Sequence, residues 1–179
     1  MGEVKKRKYL PEKYPLRPEV KDIDKDKLVK MLISAFADEV LAYYMYFTAA
    51  YALKGHASKR LESVFLDIAK DELDDHAKKL MDRLQDFDVD PPDFRDLWDL
   101  SKCKYPELPE DPYAVDEWLV AAVKAERCAL EHYREIYDYV INKDPVTEEI
   151  IKEIMRDEVE HETTFKTLLS KEGMKKIEG

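Results

Sequence analysis

The amino-acid sequence predicts an all-α protein, a four-helix bundle made of two antiparallel helix hairpins joined by a long crossover. The composition favours helices, because only 4 of the 179 residues are glycine while 39% are charged, as in long amphipathic helices. Four segments repeat apolar residues at helical spacing, with one long gap after the second segment. Hydrophobic residues make up 45% of the chain, which is enough to fill the core of one domain.

The first hairpin is predicted from two helices separated by a short turn. The first helix has Asp24 as its N-cap and runs to about Leu53, where Gly55 can supply a left-handed cap. The second helix has Ser58 as its N-cap and continues to about Leu84, before a pair of prolines that stops it. Because the turn is short, the two helices are expected to be antiparallel.

A crossover is predicted over residues 87–111, which are rich in proline and aspartate. One apolar patch within it, from Phe94 to Leu100, predicts a brief helix. A long crossover between two hairpins is one of the connections found in four-helix bundles.

The second hairpin is predicted from a helix-start signal that occurs twice. An Asp-Pro pair at 111–112 places an N-cap aspartate before a proline in the first helical position, and the third helix then runs to about Asn142. A second Asp-Pro pair at 144–145 begins the fourth helix, which ends near Ser170. These two helices form the second antiparallel pair.

Each predicted helix carries a glutamate on its apolar stripe, where a core residue belongs, and two helices also carry a histidine about one turn later. Burying an unpaired carboxylate costs roughly several kcal/mol, so four converging glutamates require about four positive charges. Two divalent ions supply that charge, and two neutral imidazoles complete the ligand set. The sequence therefore predicts a two-metal site with six ligands: Glu39, Glu72, His76, Glu126, Glu158 and His161.

The ligand types indicate which metal the site binds. Mixed carboxylate and imidazole ligation suits iron or manganese, whereas structural zinc favours thiolates. We expect two iron ions per subunit, in a site that manganese or zinc can also occupy. A pair of ferrous ions can deliver two electrons together, reducing hydrogen peroxide to water or dioxygen to peroxide without releasing a lone radical. The predicted chemistry is the oxidation of ferrous iron.

Single residues of this kind have ordinary explanations. One glutamate on an apolar stripe usually pairs with lysine or arginine, but four facing positions with two histidines favour ligands. The two histidine-bearing helices differ in spacing, because Glu158 and His161 are three residues apart whereas Glu72 and His76 are four apart. Both spacings keep the pair on one helix face. A π-bulge would reconcile them, and Asp75 is an alternative ligand.

Four short segments give the chain a family resemblance. They are Asp-Leu-Ser-Lys-Cys at 99–103, Ala-Glu-Arg-Cys-Ala at 125–129, Lys-Asp-Pro at 143–145 and Asp-Glu-Val-Glu-His-Glu at 157–162. In order and spacing they are similar to the signature of the Dps-like proteins called thioferritins. More broadly, the chain resembles the ferritin-like superfamily over residues 24–170, which implies a ferritin-like four-helix bundle.

The resemblance implies a ferroxidase that uses hydrogen peroxide, stores ferric mineral in a dodecameric cage of identical subunits, and protects cells against oxidative stress. It also implies that Cys103 and Cys128 are paired thiols near the metal centre. Cys128 lies about 200° around the third helix from Glu126, so it points away from the metal face. Three interpretations of the cysteines remain open: a structural disulfide, a redox-active dithiol, and two unrelated buried residues.

The predicted bundle lies between an arm, residues 1–23, and a C-terminal tail, residues 171–179. Dps proteins bind DNA through lysine-rich tails, and the arm has a basic cluster that could do so: Lys5, Lys6, Arg7 and Lys8. We favour a solubilising or cavity-lining arm, because the net charge of −10 opposes attraction to nucleic acid. No apolar run approaches the roughly 20 residues that span a bilayer, and residues 1–18 lack a signal-peptide core. We expect a cytoplasmic protein with no membrane partner.

Other functions fit parts of the pattern. A rubrerythrin-like di-iron peroxidase or a di-iron oxygenase would use the same ligands without storing mineral, although a rubrerythrin normally brings a four-cysteine module that this chain lacks. A metal-free helical scaffold or partner-binding bundle would keep the glutamates protonated or salt-bridged. Tyr43, close to Glu39 in the sequence, is a further candidate for quenching radicals, whereas His56 and His132 do not align with the ligands.

Overall fold

The computed structural model describes residues 19–104 and 107–178, and within these ranges the chain is helical with no strand. Four long helical rods form the predicted bundle. Among the described residues, no helix is long and apolar enough to cross a membrane. The α-helices are α1 Lys25–Ala52, α2 Ser58–Asp71, α3 Lys78–Gln85, α4 Leu97–Leu100, α5 Val115–Val140, α6 Pro145–Leu168 and α7 Lys171–Lys175. The basic residues Lys5, Lys6, Arg7 and Lys8 lie outside the described residues.

Helix α1 starts as predicted and ends differently. The Asp24 side chain accepts a hydrogen bond from the Lys27 amide at 3.1 Å, which confirms the N-cap. The prediction of Gly55 as the C-terminal cap is wrong, because the helix stops at Ala52 and the chain turns outward. There the Lys54 amide donates to the Pro112 carbonyl at 2.9 Å, and Gly55 takes its positive φ of 100° within the following turn.

The second rod is one continuous helix with a π-helical segment, Glu72–Ala77, between α2 and α3. Its predicted N-cap is displaced by one residue, since Ser58 is the first helical residue and Ala57 occupies the cap position. The π-bulge that would reconcile the two ligand spacings is confirmed. A π-helix adds a residue to one turn, so it changes which side chains share a face.

Helix α5 begins later than predicted. Asp111 closes a tight turn, with its carboxylate accepting from the Tyr113 amide at 2.9 Å and its carbonyl accepting from the Trp118 indole at 2.9 Å. These bonds hold the Asp-Pro pair outside the helix, which starts at Val115. The Asp-Pro pair at 144–145 predicts the start of α6 correctly, because the Asp144 side chain accepts a hydrogen bond from the Thr147 amide at 3.1 Å.

The crossover and the C-terminal tail both lie against the bundle. The predicted brief helix is confirmed as a 3-10 turn, Phe94–Asp96, followed by α4. The tail forms α7 and then returns to α5, where the Arg127 guanidinium donates to the Ile177 carbonyl at 2.7 Å.

The apolar core is divided into two clusters by a layer of buried glutamates. One cluster contains Phe65 and Phe165, and the other contains Leu80 and Ile136. Each long rod contributes to both clusters, and its glutamate lies in the sequence between the two contributions. The two apolar clusters therefore seal the acidic layer from water at both ends of the bundle.

Candidate metal centre

The structure brings all six predicted ligands together in the middle of the bundle, where each is at most 6% exposed. Their donor atoms form two overlapping groups, within each of which all atoms lie less than 4.8 Å apart. The groups are Glu39, Glu72, His76 and Glu158, and Glu72, Glu126, Glu158 and His161. Glu72 and Glu158 belong to both groups, so these two carboxylates can bridge two ions. Each remaining pair of one glutamate and one histidine can complete one ion's ligands.

The π-helical segment places Glu72 and His76 in the same group despite their spacing of four. His76 Nδ1 lies 3.0 Å from a Glu72 oxygen and 3.3 Å from a Glu39 oxygen. Asp75, the alternative ligand, does not enter either group of four. Its carboxylate faces outward and pairs with the Lys79 ammonium at 2.7 Å.

Two tyrosine hydroxyls donate hydrogen bonds to the glutamates that belong to only one donor group, and sequence analysis missed both tyrosines. The Tyr46 hydroxyl donates to Glu126 at 2.6 Å, and the Tyr133 hydroxyl donates to Glu39. Each tyrosine lies seven residues after the glutamate of its own helix, so α1 and α5 contribute the same pair in antiparallel orientation. This repeated spacing of seven residues is the sequence signal that could have identified both tyrosines. Tyr43, the candidate radical quencher, contacts Phe47 and packs against the apolar cluster that contains Phe65 and Phe165.

The pKa values of the four glutamates shift in opposite directions, although burial acts to raise all of them. It raises the pKa of Glu39 and of Glu126 well above the usual value, and nearby Glu158 adds to both shifts. Burial also opposes ionisation of Glu72 and Glu158, but their neighbours outweigh it and lower the pKa of both: mainly the two histidines for Glu72, and Glu126 with the two histidines for Glu158. Without metal, Glu39 and Glu126 therefore hold a proton more tightly than Glu72 and Glu158 do.

The two imidazoles balance the ionised pair. Burial disfavours the charged ring, but the neighbouring carboxylates of Glu158 and Glu72 outweigh it and raise the pKa of His161 to about 10. The pKa of His76 is also raised, since the neighbouring carboxylates of Glu158, Glu39 and Glu72 outweigh its burial. Two imidazolium ions and two carboxylates make the metal-free cluster neutral.

Several polar atoms of the cluster are buried without a hydrogen-bond partner among the described residues. They are Glu72 Oε1, both carboxylate oxygens of Glu158, His76 Nε2 and His161 Nδ1. Each unsatisfied buried group costs about 1–3 kcal/mol. Coordinated cations would satisfy the carboxylate oxygens and the inward-facing imidazole nitrogens, and such donors suit divalent iron or manganese. The residues present therefore fit a pair of divalent ions.

Two aspartates approach the outer nitrogens of the histidines. Asp157 Oδ2 lies 3.5 Å from His76 Nε2, and Asp71 Oδ2 lies 3.5 Å from His161 Nε2. Each aspartate comes from the opposite rod and immediately precedes a glutamate of the cluster. A carboxylate on the outer nitrogen of a histidine orients the ring so that its inner nitrogen faces the metal. Sequence analysis missed this pair, although an Asp-Glu dipeptide occurs in both rods.

A second buried cluster fixes the crossover beside the candidate metal centre. Asp38 Oδ1 accepts hydrogen bonds from the Ser101 hydroxyl and the Cys103 amide, and Asp38 Oδ2 lies 2.6 Å from His132 Nδ1. Cys103 forms a disulfide with Cys128, so the interpretation as two unrelated cysteines is wrong. Both remaining histidines lie outside the ligand groups, as predicted: His132 pairs with Asp38, and His56 is exposed in the α1–α2 turn.

The sequence matches the family model of the ferritin-like domain over residues 29–174. The chain belongs to the ferritin-like family. It is 36% identical over 152 residues to the DNA protection during starvation protein of Pyrococcus furiosus, an alignment that covers 83% of this chain and 80% of that protein. The Dps-like resemblance is thereby confirmed.

Solved structures place the fold in the same group. A dodecameric thioferritin, the bacterioferritin-related protein of Bacteroides fragilis, superposes with a TM-score of 0.76 at 31% identity, over 81% of this chain and 85% of that chain. Dps from Thermosynechococcus elongatus superposes with a TM-score of 0.75 at 15% identity, over 82% and 92% of the two chains. The second likeness supports the fold alone.

Proposed function

We propose that this protein is a Dps-like ferroxidase that binds two ferrous ions per chain at the six-residue centre, oxidises them, and stores the ferric product in an oligomeric cage. One observation carries the proposal. Glu72 and Glu158 belong to both groups of donor atoms, so they can hold two ions side by side between the remaining ligands. A site for a single ion would not share its central carboxylates in this way.

A pair of ions suits hydrogen peroxide as the oxidant. Two ferrous ions give up one electron each, and peroxide accepts both electrons. The O–O bond breaks, two protons are taken up, and two water molecules form. Because both electrons leave together, no hydroxyl radical is released, in keeping with protection against oxidative stress.

The side chains around the pair prepare it for this chemistry. When ions enter, Glu39 and Glu126 lose their protons, and the hydroxyls of Tyr133 and Tyr46 remain as donors to the ionised carboxylates. Asp157 is placed to accept a hydrogen bond from the Nε2–H group of His76, which leaves the Nδ1 lone pair facing the ions. Apolar clusters on both sides limit the access of water.

Storage requires a closed assembly, and we propose a dodecameric cage of identical subunits. The similarity to the Bacteroides fragilis thioferritin supports this size. The exposed aromatic residues of α1 and of the crossover also support self-association, because large apolar patches on a surface mark interaction sites. They include Tyr44, Tyr51, Phe94 and Trp98, each more than half exposed.

An anaerobic titration of the apo-protein with ferrous iron tests the function. We expect about two ions per chain, followed by fast oxidation with one peroxide per two ions inside a shell of unchanged size. Failure of the wild-type protein to bind iron, or equal binding by Glu126→Ala and His161→Ala, would support the metal-free scaffold instead. Oxidation without retained ferric mineral would favour a rubrerythrin-like peroxidase or a di-iron oxygenase.

The basic arm is tested separately. We expect no gel shift of DNA at physiological salt, because the acidic body opposes binding through Lys5, Lys6, Arg7 and Lys8. Retardation that disappears when these four residues are replaced would add DNA binding to the function.

A further inference from the structure

A third group of possible cation ligands, Asp75, His76 and Asp157, adjoins an acidic cavity that the two aspartates line. The cavity has a volume of about 440 Å³ and opens between α2 and α6. Its lining includes five carboxylates: Asp67, Asp71, Asp75, Asp157 and Glu160. Carboxylates concentrated in one cleft attract cations from solution, and the effect is stronger where the walls have a low dielectric constant.

A buried histidine nitrogen faces one of these carboxylates, because His76 Nε2 lies 3.5 Å from Asp157 Oδ2. Donor atoms of Asp75, His76 and Asp157 all lie within 4.8 Å of one another. The His76 ring is completely buried, and its Nε2 has no hydrogen-bond partner among the described residues. One imidazole and two carboxylates make a ligand set for a divalent cation, with positions left for water.

We propose that Asp75, His76 Nε2 and Asp157 form a third divalent-cation site, from which ferrous ions pass to the inner pair. The destination of the ion rests on the proposed ferroxidase function. The site itself does not, because its three donors bind any small divalent cation that suits nitrogen and oxygen ligands.

The chemistry of imidazole makes this a transit site. A neutral imidazole has one nitrogen with a free lone pair, and the other nitrogen carries a proton. His76 Nδ1 faces Glu39, Glu72 and Glu158, whereas Nε2 faces Asp157. Binding an inner ion through Nδ1 therefore removes Nε2 from the outer site. The two uses of His76 exclude each other, so an ion held outside is released as the inner position fills.

A lysine competes for the same carboxylate. Lys79 Nζ lies 2.7 Å from Asp75 Oδ2 and 3.3 Å from Glu153 Oε2, so it can remain with Glu153 when a cation takes Asp75. Asp75 is half exposed, and such an ion pair is worth little in water. Replacing Lys79 by glutamine removes this competitor and is expected to tighten cation binding at the outer site.

Equilibrium binding of Co²⁺ tests the site in the full chain after the four inner glutamates are replaced by glutamine. We expect one Co²⁺ per chain, and about tenfold weaker binding when Asp75→Asn and Asp157→Asn are added. The matched control, Asp67→Asn with Glu160→Gln, removes the same charge from the same cavity and should weaken binding by less than about threefold. Absence of Co²⁺ binding in the folded variant, or equal losses in both double variants, would overturn the site.

Loading kinetics in the otherwise wild-type chain test the transit role and do not depend on the quadruple variant. After rapid mixing with Co²⁺, Asp75→Asn, which leaves the contact between Asp157 and His76 in place, should fill the inner pair about tenfold more slowly and still reach two ions per chain. Lys79→Gln should not slow the filling of the inner pair by Co²⁺. An unchanged loading rate would overturn the transit role. Normal Co²⁺ loading without ferrous oxidation would reject the ferroxidase and leave the third site standing.

Discussion

Two buried acidic clusters begin at neighbouring residues of α1, and they differ in whether protein groups supply hydrogen bonds to their carboxylate oxygens. Asp38 has protein partners for both carboxylate oxygens: Ser101, the Cys103 amide and His132. The cluster that begins at Glu39 leaves both oxygens of Glu158 without a hydrogen-bond partner among the described residues. Satisfied buried networks rigidify a fold, whereas unsatisfied ones need another ligand. The Asp38 cluster therefore holds the crossover in place, and its neighbour holds ions.

The largest effect is expected at a carboxylate that both donor groups share. Glu158→Gln should lower ferrous affinity by more than about 100-fold, because both ions lose a bridging oxygen. The stability of the metal-free protein should change less than the iron affinity, since an imidazole that loses the Glu158 charge can release its proton and avoid remaining an unpaired buried cation. Iron titration and thermal unfolding in chelator measure the two quantities. Exposed Glu149→Gln on the same helix is the control, and equal iron binding by both variants would contradict the bridge.

The pH dependence of ion binding follows from the raised pKa values. The raised pKa values mean that Glu39, Glu126, His76 and His161 hold protons more tightly in the metal-free cluster than in water, and cations require all four groups deprotonated. Affinity should therefore fall as pH falls, by about tenfold per pH unit for each proton released, with up to four released. Calorimetric titration in two buffers of different protonation enthalpy counts them. Release of fewer than about one proton would contradict the neutral cluster.

In the Asp38 cluster, a substitution is expected to lower stability and to leave iron binding intact. Asp38→Ala leaves His132 buried without its partner and releases the crossover, so the free energy of unfolding should fall by about 3–5 kcal/mol. At saturating iron the chain should still bind two ions. Denaturant unfolding in chelator, with an iron titration of the same sample, measures both. Lost iron binding with unchanged stability would reverse the roles assigned to the two clusters.

The disulfide extends the clamp made by the Asp38 cluster. Cys103→Ser opens a loop with a sequence separation of 25 residues, and the expected loss of stability is about 3 kcal/mol. Peroxide turnover should stay unchanged if the bond is structural. Turnover that falls in Cys103→Ser, and that in the wild type depends on added thiol, would instead support a redox relay between the cysteines and the centre.

The smallest effect is expected at the tyrosine hydroxyls. Tyr46→Phe removes one donor to Glu126 and keeps the ring that packs against Phe65 and Phe165, so stability should change by about 1 kcal/mol. Two ferrous ions should still bind. Rapid-mixing experiments with peroxide measure the consequence, and a large loss of oxidation rate with normal binding would show that the hydroxyl takes part in electron transfer.

The sequence predicted features that depend on one helix and missed those that depend on contacts between helices. A glutamate on an apolar stripe is visible in its own helix, as is the Asp144 cap. The start of α5 was misplaced because the bond between Asp111 and Trp118 decides it. Asp38 was overlooked because its partners come from the crossover and α5. The tyrosine–glutamate pairs depend on how far α1 and α5 are shifted along each other, which apolar periodicity leaves open.

Anomalous diffraction at the iron edge, from crystals loaded anaerobically with ferrous iron, tests the shared-carboxylate centre most directly. The account predicts two iron peaks per chain on either side of Glu72 and Glu158, one bordered by Glu39 and His76 and the other by Glu126 and His161. A single peak, or iron found only away from these carboxylates, would contradict it.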